Sequence, residues 1–136
     1  MKKLRIKEII KVCYLSLLAL LLTFSATAQD SLIVKKHTYA PKKFERKMKK
    51  EAVQVLDVRT AEEYKQGHLP GALLMDVNSP DFKEKVAQLD KSKTYLVYCK
   101  SGRRSEKALK ILYNAGYQNA YHLKGGYLNW KGETVE

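Results

Sequence analysis

Residues 94–105 read Thr94-Tyr95-Leu96-Val97-Tyr98-Cys99-Lys100-Ser101-Gly102-Arg103-Arg104-Ser105, an apolar run that turns polar after the cysteine. The apolar half predicts a buried β-strand, because it is rich in aromatic and aliphatic residues and carries no charge. Helical periodicity follows from Ser105 to Ala115, and Gly116 ends it. A strand, a short loop and a helix in that order are the repeating unit of α/β domains with parallel sheets.

The same alternation of strands and helices extends to both sides of this stretch. Further strands are predicted at residues 52–58, 72–77 and 117–123, and helices at 41–51, 61–65 and 81–90, with a short terminal helix containing Trp130. Thr60 and Glu63 form a capping-box pattern at the start of the helix at 61–65. Residues 29–40 lack sustained periodicity and are predicted to be an arm or a short strand. The pattern therefore predicts one α/β domain with a mainly parallel sheet flanked by helices.

Length and composition exclude several classes of protein. The chain has 136 residues, too few for two ordinary domains, and its 45% of hydrophobic residues exceeds what a disordered chain carries. Two cysteines, Cys13 and Cys99, cannot form a disulfide-dense scaffold. The formal net charge of +12 indicates anionic partners.

The first residues resemble a secretory leader in outline. Residues 1–11 carry five basic side chains, and the uncharged run Val12–Phe24 is shorter than the roughly 18 residues that span a bilayer. Ala26-Thr27-Ala28 then supplies a small-residue cleavage signal. We therefore predict a cleaved signal peptide at 1–28, an N-terminal arm at 29–35 and a folded domain at 36–136. The mature protein is expected to be exported to the periplasm, without stable association with the membrane after cleavage. An uncleaved membrane anchor is the alternative.

Cys99 is left as the single cysteine of the predicted mature chain, in a setting where lone thiols are usually paired or avoided. It precedes a helix start, and Lys100, Arg103 and Arg104 surround it with positive charge. Backbone N–H groups at a helix start and nearby cations both favour a thiolate. Gly102 allows the loop to bend so that its N–H groups face an anion. We therefore interpret Cys99 as a nucleophile rather than as a buried structural cysteine.

Four segments together resemble the rhodanese-like sulfurtransferases of the single-domain, thiosulfate sulfurtransferase type. The resemblance covers about residues 36–136. The segments are Leu56-Asp57-Val58-Arg59; Glu63-Tyr64 with Gly67-His68-Leu69-Pro70-Gly71-Ala72; Tyr98 through Ser105; and Gly125-Gly126 with Trp130.

The resemblance implies a three-layer domain with a central, mainly parallel sheet of five strands. It also implies an enzyme in which Cys99 carries sulfane sulfur as a persulfide, taken from thiosulfate or a similar donor and passed to cyanide or a thiol, including a protein thiol. The loop of Lys100, Ser101, Gly102, Arg103, Arg104 and Ser105 would bind the donor and the persulfide, and Arg104 would close it. Asp57 and Arg59 are expected to hold the first core strand and its helix in place, and the alternative is that they border the pocket.

Other functions compete with this interpretation. A cysteine-dependent phosphatase or arsenate reductase would also use a thiolate loop ending in arginine, but four residues separate Cys99 from Arg104, one fewer than in phosphatase loops. A sulfur-relay or protein-docking module could use the basic helix at 41–51 to recognise an acidic partner. A nucleic-acid binder is disfavoured by export, and no RNA-binding motif is present.

No cofactor or metal is expected. The sequence has no phosphate-binding glycine motif, and His37 and His122 lack partners at metal-ligand spacing. His68 could be proposed as a base for Cys99, but we expect it to make structural hydrogen bonds within its turn.

Overall fold

The computed structural model describes residues 5–136, apart from the side chains of residues 22–27. Residues 1–4 of the predicted leader, and the side chains of most of its cleavage signal, thus lie outside the described part of the chain. The chain divides into two compact units, one ending at Ile33 and one spanning Val34–Glu136. Helix α1 covers Ile6–Lys36, so residues 29–36 are helical where the sequence suggested an arm. Among the described residues, no helix combines the length and hydropathy needed to cross a bilayer.

Five parallel strands form the sheet of the second unit. They are β1 (Thr38–Tyr39), β2 (Val53–Asp57), β3 (Ala72–Leu74), β4 (Thr94–Tyr98) and β5 (Ala120–Leu123), in the spatial order β1-β5-β4-β2-β3. Every strand pair is parallel. The predicted α/β class and five-stranded sheet are confirmed, and β4 has the predicted bounds. Strands β3 and β5 are shorter than predicted, because their apolar flanking residues continue as loops.

Helices α2 (Pro41–Met48), α3 (Ala61–Lys65), α4 (Phe82–Ala87) and α5 (Arg103–Asn114) alternate with the strands. The capping box of α3 is present, with Thr60 accepting from the Glu63 backbone and Glu63 from the Thr60 backbone. Helix α5 begins two residues before its predicted start, because Gly102 adopts a φ of 109° and turns the chain directly into it. The predicted terminal helix is a 3₁₀ turn, Tyr127–Asn129, and Trp130 follows it.

The core consists of two clusters separated by the sheet. Along β4, Leu96 and Tyr98 belong to one cluster, whereas Val97 and then Cys99 belong to the other. Since successive side chains of a strand point to opposite faces, these clusters are the two faces of the sheet. Phe44 of α2 belongs to the first cluster. Phe82 and Val86 of α4 and Ala108, Leu109 and Leu112 of α5 belong to the second. The domain therefore has three layers, and Cys99 lies on the face covered by α5.

Candidate functional site

Cys99 follows the last residue of β4 at the carboxyl edge of the sheet, where α/β domains place their ligands. Its sulfur accepts a hydrogen bond from the Gly102 backbone N–H at 3.1 Å and lies 3.6 Å from the Ser105 hydroxyl oxygen. The residue is 1% exposed, whereas Lys100, Ser101 and Arg103 are exposed around it. The loop thus supplies a backbone donor and two exposed cations next to a buried thiol.

The turn at Gly125-Gly126 supports the cysteine loop through backbone hydrogen bonds. The backbone N–H of Tyr127 donates to the Cys99 carbonyl at 2.8 Å, and that of Leu128 donates to the Lys100 carbonyl at 3.0 Å. Gly126 lies so close that an added methyl group would stand 2.5 Å from the Cys99 carbonyl oxygen. The sequence flagged these glycines only through the family resemblance, and their contact with the cysteine loop is a structural finding.

Arg104 faces the first turn of α3. Its guanidinium donates to both carboxylate oxygens of Glu63, at 2.7 and 2.8 Å. These bonds raise the pKa of Arg104, and the charge of a deprotonated Cys99 would raise it further. The same bonds hold the pKa of Glu63 at about 2, against 4.5 for an ordinary glutamate. Arg104 thus joins the cysteine loop to α3, through one bond from each of its terminal nitrogens to Glu63.

Asp57 and Arg59 form a buried ion pair at the end of β2. Arg59 Nη2 lies 2.6 Å from Asp57 Oδ2 and also donates to the Gly67 carbonyl at 2.8 Å. Burial by itself lowers the pKa of Arg59, but the bonds and charge of Asp57 outweigh it and the net pKa is raised. The hydroxyl of Tyr98 donates to Asp57 and accepts from the Leu69 backbone, and burial raises its pKa. The pair ties β2, β4 and the turn at Gly67 together.

A cavity of about 220 Å³ opens beside the cysteine loop. Arg59 is 3% exposed and forms part of its wall, so it both supports the fold and borders this space. Three of the lining side chains are exposed, those of Gln66, Lys100 and Leu128. The lining residues are Arg59, Glu63, Gln66, Gly67, Lys100, Tyr127 and Leu128.

Two histidines have contacts that bear on the sequence interpretation. His68 stacks on Tyr64, with its Nδ1 3.1 Å from the Tyr64 carbonyl oxygen, so it makes the structural contacts expected of a turn residue. The sequence indicates no role for His122, whose Nδ1 lies 3.2 Å from the Ser105 hydroxyl oxygen. Its one signal in the sequence is its place in a predicted buried strand. Across the described part of the chain, no group of three or more His, Cys, Asp and Glu residues could hold a metal ion.

Comparisons with known proteins agree with this geometry. A putative sulfurtransferase of Bacillus subtilis, YtwF, is 37% identical over 84 residues, which are 62% of this chain and 79% of that protein. The tRNA uridine(34) hydroxylase of Cytophaga hutchinsonii is 37% identical over 93 residues, covering 66% of this chain and 30% of the hydroxylase. This chain thus spans about a third of that relative's length.

Solved structures share the fold. A rhodanese-related protein from Thermoplasma volcanium superposes with a TM-score of 0.66 at 26% identity, covering 73% of this chain and 97% of that one. Residues 40–133 match the family described as the rhodanese-like domain, a span that holds Cys99, its loop and the turn behind it. Because this match covers more than half of the chain, the chain belongs to the rhodanese-like domain family.

Proposed function

We propose that this protein is an enzyme that moves sulfane sulfur from thiosulfate, or a similar anionic donor, to cyanide or a thiol through a persulfide on Cys99. The observation that carries the proposal is the position of the Cys99 sulfur, which accepts the Gly102 N–H at 3.1 Å before the first turn of α5. A backbone donor and a helix start stabilise negative charge on sulfur.

The reaction is a double displacement. The Cys99 thiolate attacks the outer sulfur of thiosulfate, the sulfur–sulfur bond of the donor breaks, and sulfite leaves with the bonding electron pair. The acceptor then attacks the outer sulfur of the persulfide and Cys99 leaves as a thiolate, so that cyanide becomes thiocyanate or a thiolate becomes a persulfide. Two half-reactions through a covalent intermediate give ping-pong kinetics.

Lys100 and Arg103 are the cations that we assign to the donor. Both are exposed, and Lys100 lines the cavity beside the loop. Arg104 contributes its charge near the sulfur while remaining bound to Glu63. Its bonds to Glu63 leave fewer of its N–H donors for a tetrahedral oxyanion, which weighs against a phosphatase or arsenate reductase.

Intact mass spectrometry tests the proposal. After incubation with thiosulfate the protein should gain the mass of one sulfur atom, and cyanide should remove it with formation of thiocyanate. Cys99→Ser should abolish the gain, and Cys13→Ser, which removes the other cysteine of the chain, should preserve it. Sulfur loading that survives in Cys99→Ser, or no loading with any sulfane donor, would contradict the proposal.

A sulfur relay to a protein acceptor is the second candidate. The observation that favours it is Leu128, an apolar side chain 64% exposed at the mouth of the cavity beside the cysteine loop. A protein acceptor would remove this side chain from water on binding, which cyanide cannot do. A loaded protein that turns over poorly with small acceptors, and that loses protein-thiol transfer in Leu128→Ser, would favour the relay.

A further inference from the structure

A buried histidine lies behind Cys99 and is connected to it by hydrogen bonds. His122 of β5 is 3% exposed, and its Nδ1 lies 3.2 Å from Ser105 Oγ. Ser105 is fully buried, and its oxygen lies 3.6 Å from Cys99 Sγ. On the other side of the ring, Nε2 lies 2.9 Å from Thr38 Oγ1. The proposed double displacement makes no use of this chain of contacts.

The direction of these bonds follows from Thr38. Its hydroxyl donates to the Val34 carbonyl at 2.6 Å, so its oxygen is left to accept a proton from His122. Nε2 therefore carries the proton, and in a neutral imidazole Nδ1 is then an acceptor. Burial lowers the pKa of His122, although the charge of Glu106 opposes this, and the ring is neutral near pH 7. A neutral base thus points at Ser105.

The Ser105 hydroxyl has two acceptors within reach, His122 Nδ1 at 3.2 Å and the Gly102 carbonyl at 2.9 Å. With a neutral His122, Ser105 donates to Nδ1 and accepts from the Cys99 thiol. With a protonated His122, Nδ1–H donates to Ser105, which turns its own proton to the Gly102 carbonyl. Both protonation states are therefore satisfied by one arrangement of heavy atoms, with rotation of a single hydroxyl.

We propose that His122 takes up the Cys99 proton through Ser105 and so leaves the negative charge on the sulfur. The Cys99 S–H bond breaks as its proton passes to Ser105 Oγ, while the Ser105 hydroxyl proton passes to His122 Nδ1. The products are a thiolate and an imidazolium, with no net change in charge or electrons. When sulfur later leaves the persulfide, the same imidazolium faces the regenerated thiolate. This inference rests on the proposed role of Cys99 as the nucleophile.

Among the described residues, the ionisable groups tied to the His122 ring are the Cys99 thiol, through Ser105, and Glu106 on α5, through its charge. Just before β1, the His37 backbone carbonyl accepts the His122 backbone N–H at 2.9 Å. From β4, the register partner is the apolar Val97. His122 is thus shielded from solvent, connected to the Cys99 thiol through Ser105, and subject to the charge of Glu106. Thr38, which fixes the tautomer of His122, lies just before the segment at 40–133 that matches the family.

The test is the pH dependence of Cys99 alkylation by iodoacetamide. It uses the full chain carrying Cys13→Ser, so that Cys99 is the one thiol. His122→Asn should slow alkylation at pH 7 by up to about 30-fold, the ratio between a fully ionised thiol and one with an ordinary pKa near 8.5. The rates of variant and parent should converge by about pH 10, where a thiol ionises without an acceptor. A merely structural role would lower the rate equally at every pH.

Three further variants complete the experiment. Ser105→Ala, which keeps His122, should shift the pH dependence of alkylation in the same direction. If His122→Asn does not fold, this variant provides the test. Thr38→Val should give a smaller shift, and His68→Asn, a histidine outside the chain of contacts, should give none. An unshifted profile in folded His122→Asn and Ser105→Ala overturns the inference. If thiosulfate loads no sulfur onto Cys99 but these shifts are seen, the proposed sulfur transfer is wrong, whereas the proton transfer to His122 is supported.

Discussion

At the scale of single residues, the ion pair of Glu63 and Arg104 shows how a side-chain contact anchors the cysteine loop. Both side chains are about one-quarter exposed, so the pair is partly shielded from water. Because the pKa of Glu63 is lowered to about 2 in the folded protein, folding favours the charged carboxylate. Its contribution is complete above the ordinary value of 4.5 and is lost as the pH falls from there towards 2.

We predict that Glu63→Gln lowers the free energy of unfolding at pH 7 by about 1–2 kcal/mol, the range for bonds between charged groups that are partly exposed. Glutamine can still cap α3, so the variant isolates the ion pair from the capping box. Urea unfolding of both proteins at several pH values gives the measurement. The difference should shrink as the pH falls below 4.5, and a difference independent of pH would contradict the assignment.

The sequence could identify Cys99 but not its partners, and the reason is distance along the chain. Cys99, Gly102 and Arg104 lie in one local pattern, a strand followed by a loop and a helix, which can be read from neighbouring residues. Glu63 is 41 residues from Arg104, and His122 is 17 residues from Ser105. Such contacts depend on which strands become neighbours in the sheet, and no local periodicity encodes that order.

At the scale of elements, the turn at Gly125-Gly126 supports the cysteine loop because it has no side chain at the point of contact. Gly126 has a φ of 61° and a ψ of −158°, a conformation that other residues rarely adopt. A methyl group there would stand 2.5 Å and 2.6 Å from the carbonyl oxygens of Cys99 and Lys100. These backbone atoms cannot move without moving the loop that holds the sulfur.

We predict that Gly126→Ala destabilises the protein by about 3 kcal/mol, from backbone strain and crowding together, and slows sulfur loading of Cys99. Gly71→Ala is the matched control, since Gly71 also has a positive φ, 69°, but an added methyl group would have nothing within 4 Å. Backbone strain alone should lower the free energy of unfolding of Gly71→Ala by about 1–2 kcal/mol and leave the sulfur loading of Cys99 unchanged. Thermal unfolding and mass spectrometry measure the two effects. Equal effects of the two substitutions would show that Gly126 does not support the loop.

Element boundaries were predicted well where a local signal marks them and poorly where packing decides them. The bounds of β4 and α3 match the prediction, because an apolar run and a capping box mark them in the sequence. Helix α5 starts earlier than predicted, since its start depends on the φ of Gly102, and β5 is shorter because only residues 120–123 find a partner strand. Residues 29–36 are helical although their pattern suggested no periodicity.

At the scale of the whole molecule, the arrangement of the core bears on the proposed export. The buried members of both core clusters lie between Tyr39 and Trp130, and the second compact unit begins at Val34. Cleavage after Ala28 would therefore leave the core and Thr38 intact. We propose that the protein is exported to the periplasm and that its mature form begins at Gln29.

Cell fractionation with intact mass measurement should find this mature form in the periplasm. Replacing Ala26 and Ala28 together by a bulky residue such as Phe should cause the precursor to accumulate, because the cleavage site accepts only small side chains at these positions. Replacing Asp30 by Asn, on the mature side of the site, should leave processing unchanged. A chain that starts at Gln29 should unfold at the same temperature as the full chain, since it keeps every buried core residue. Recovery of the uncleaved chain in the membrane fraction would instead favour an anchor, with Cys99 presented at the membrane surface.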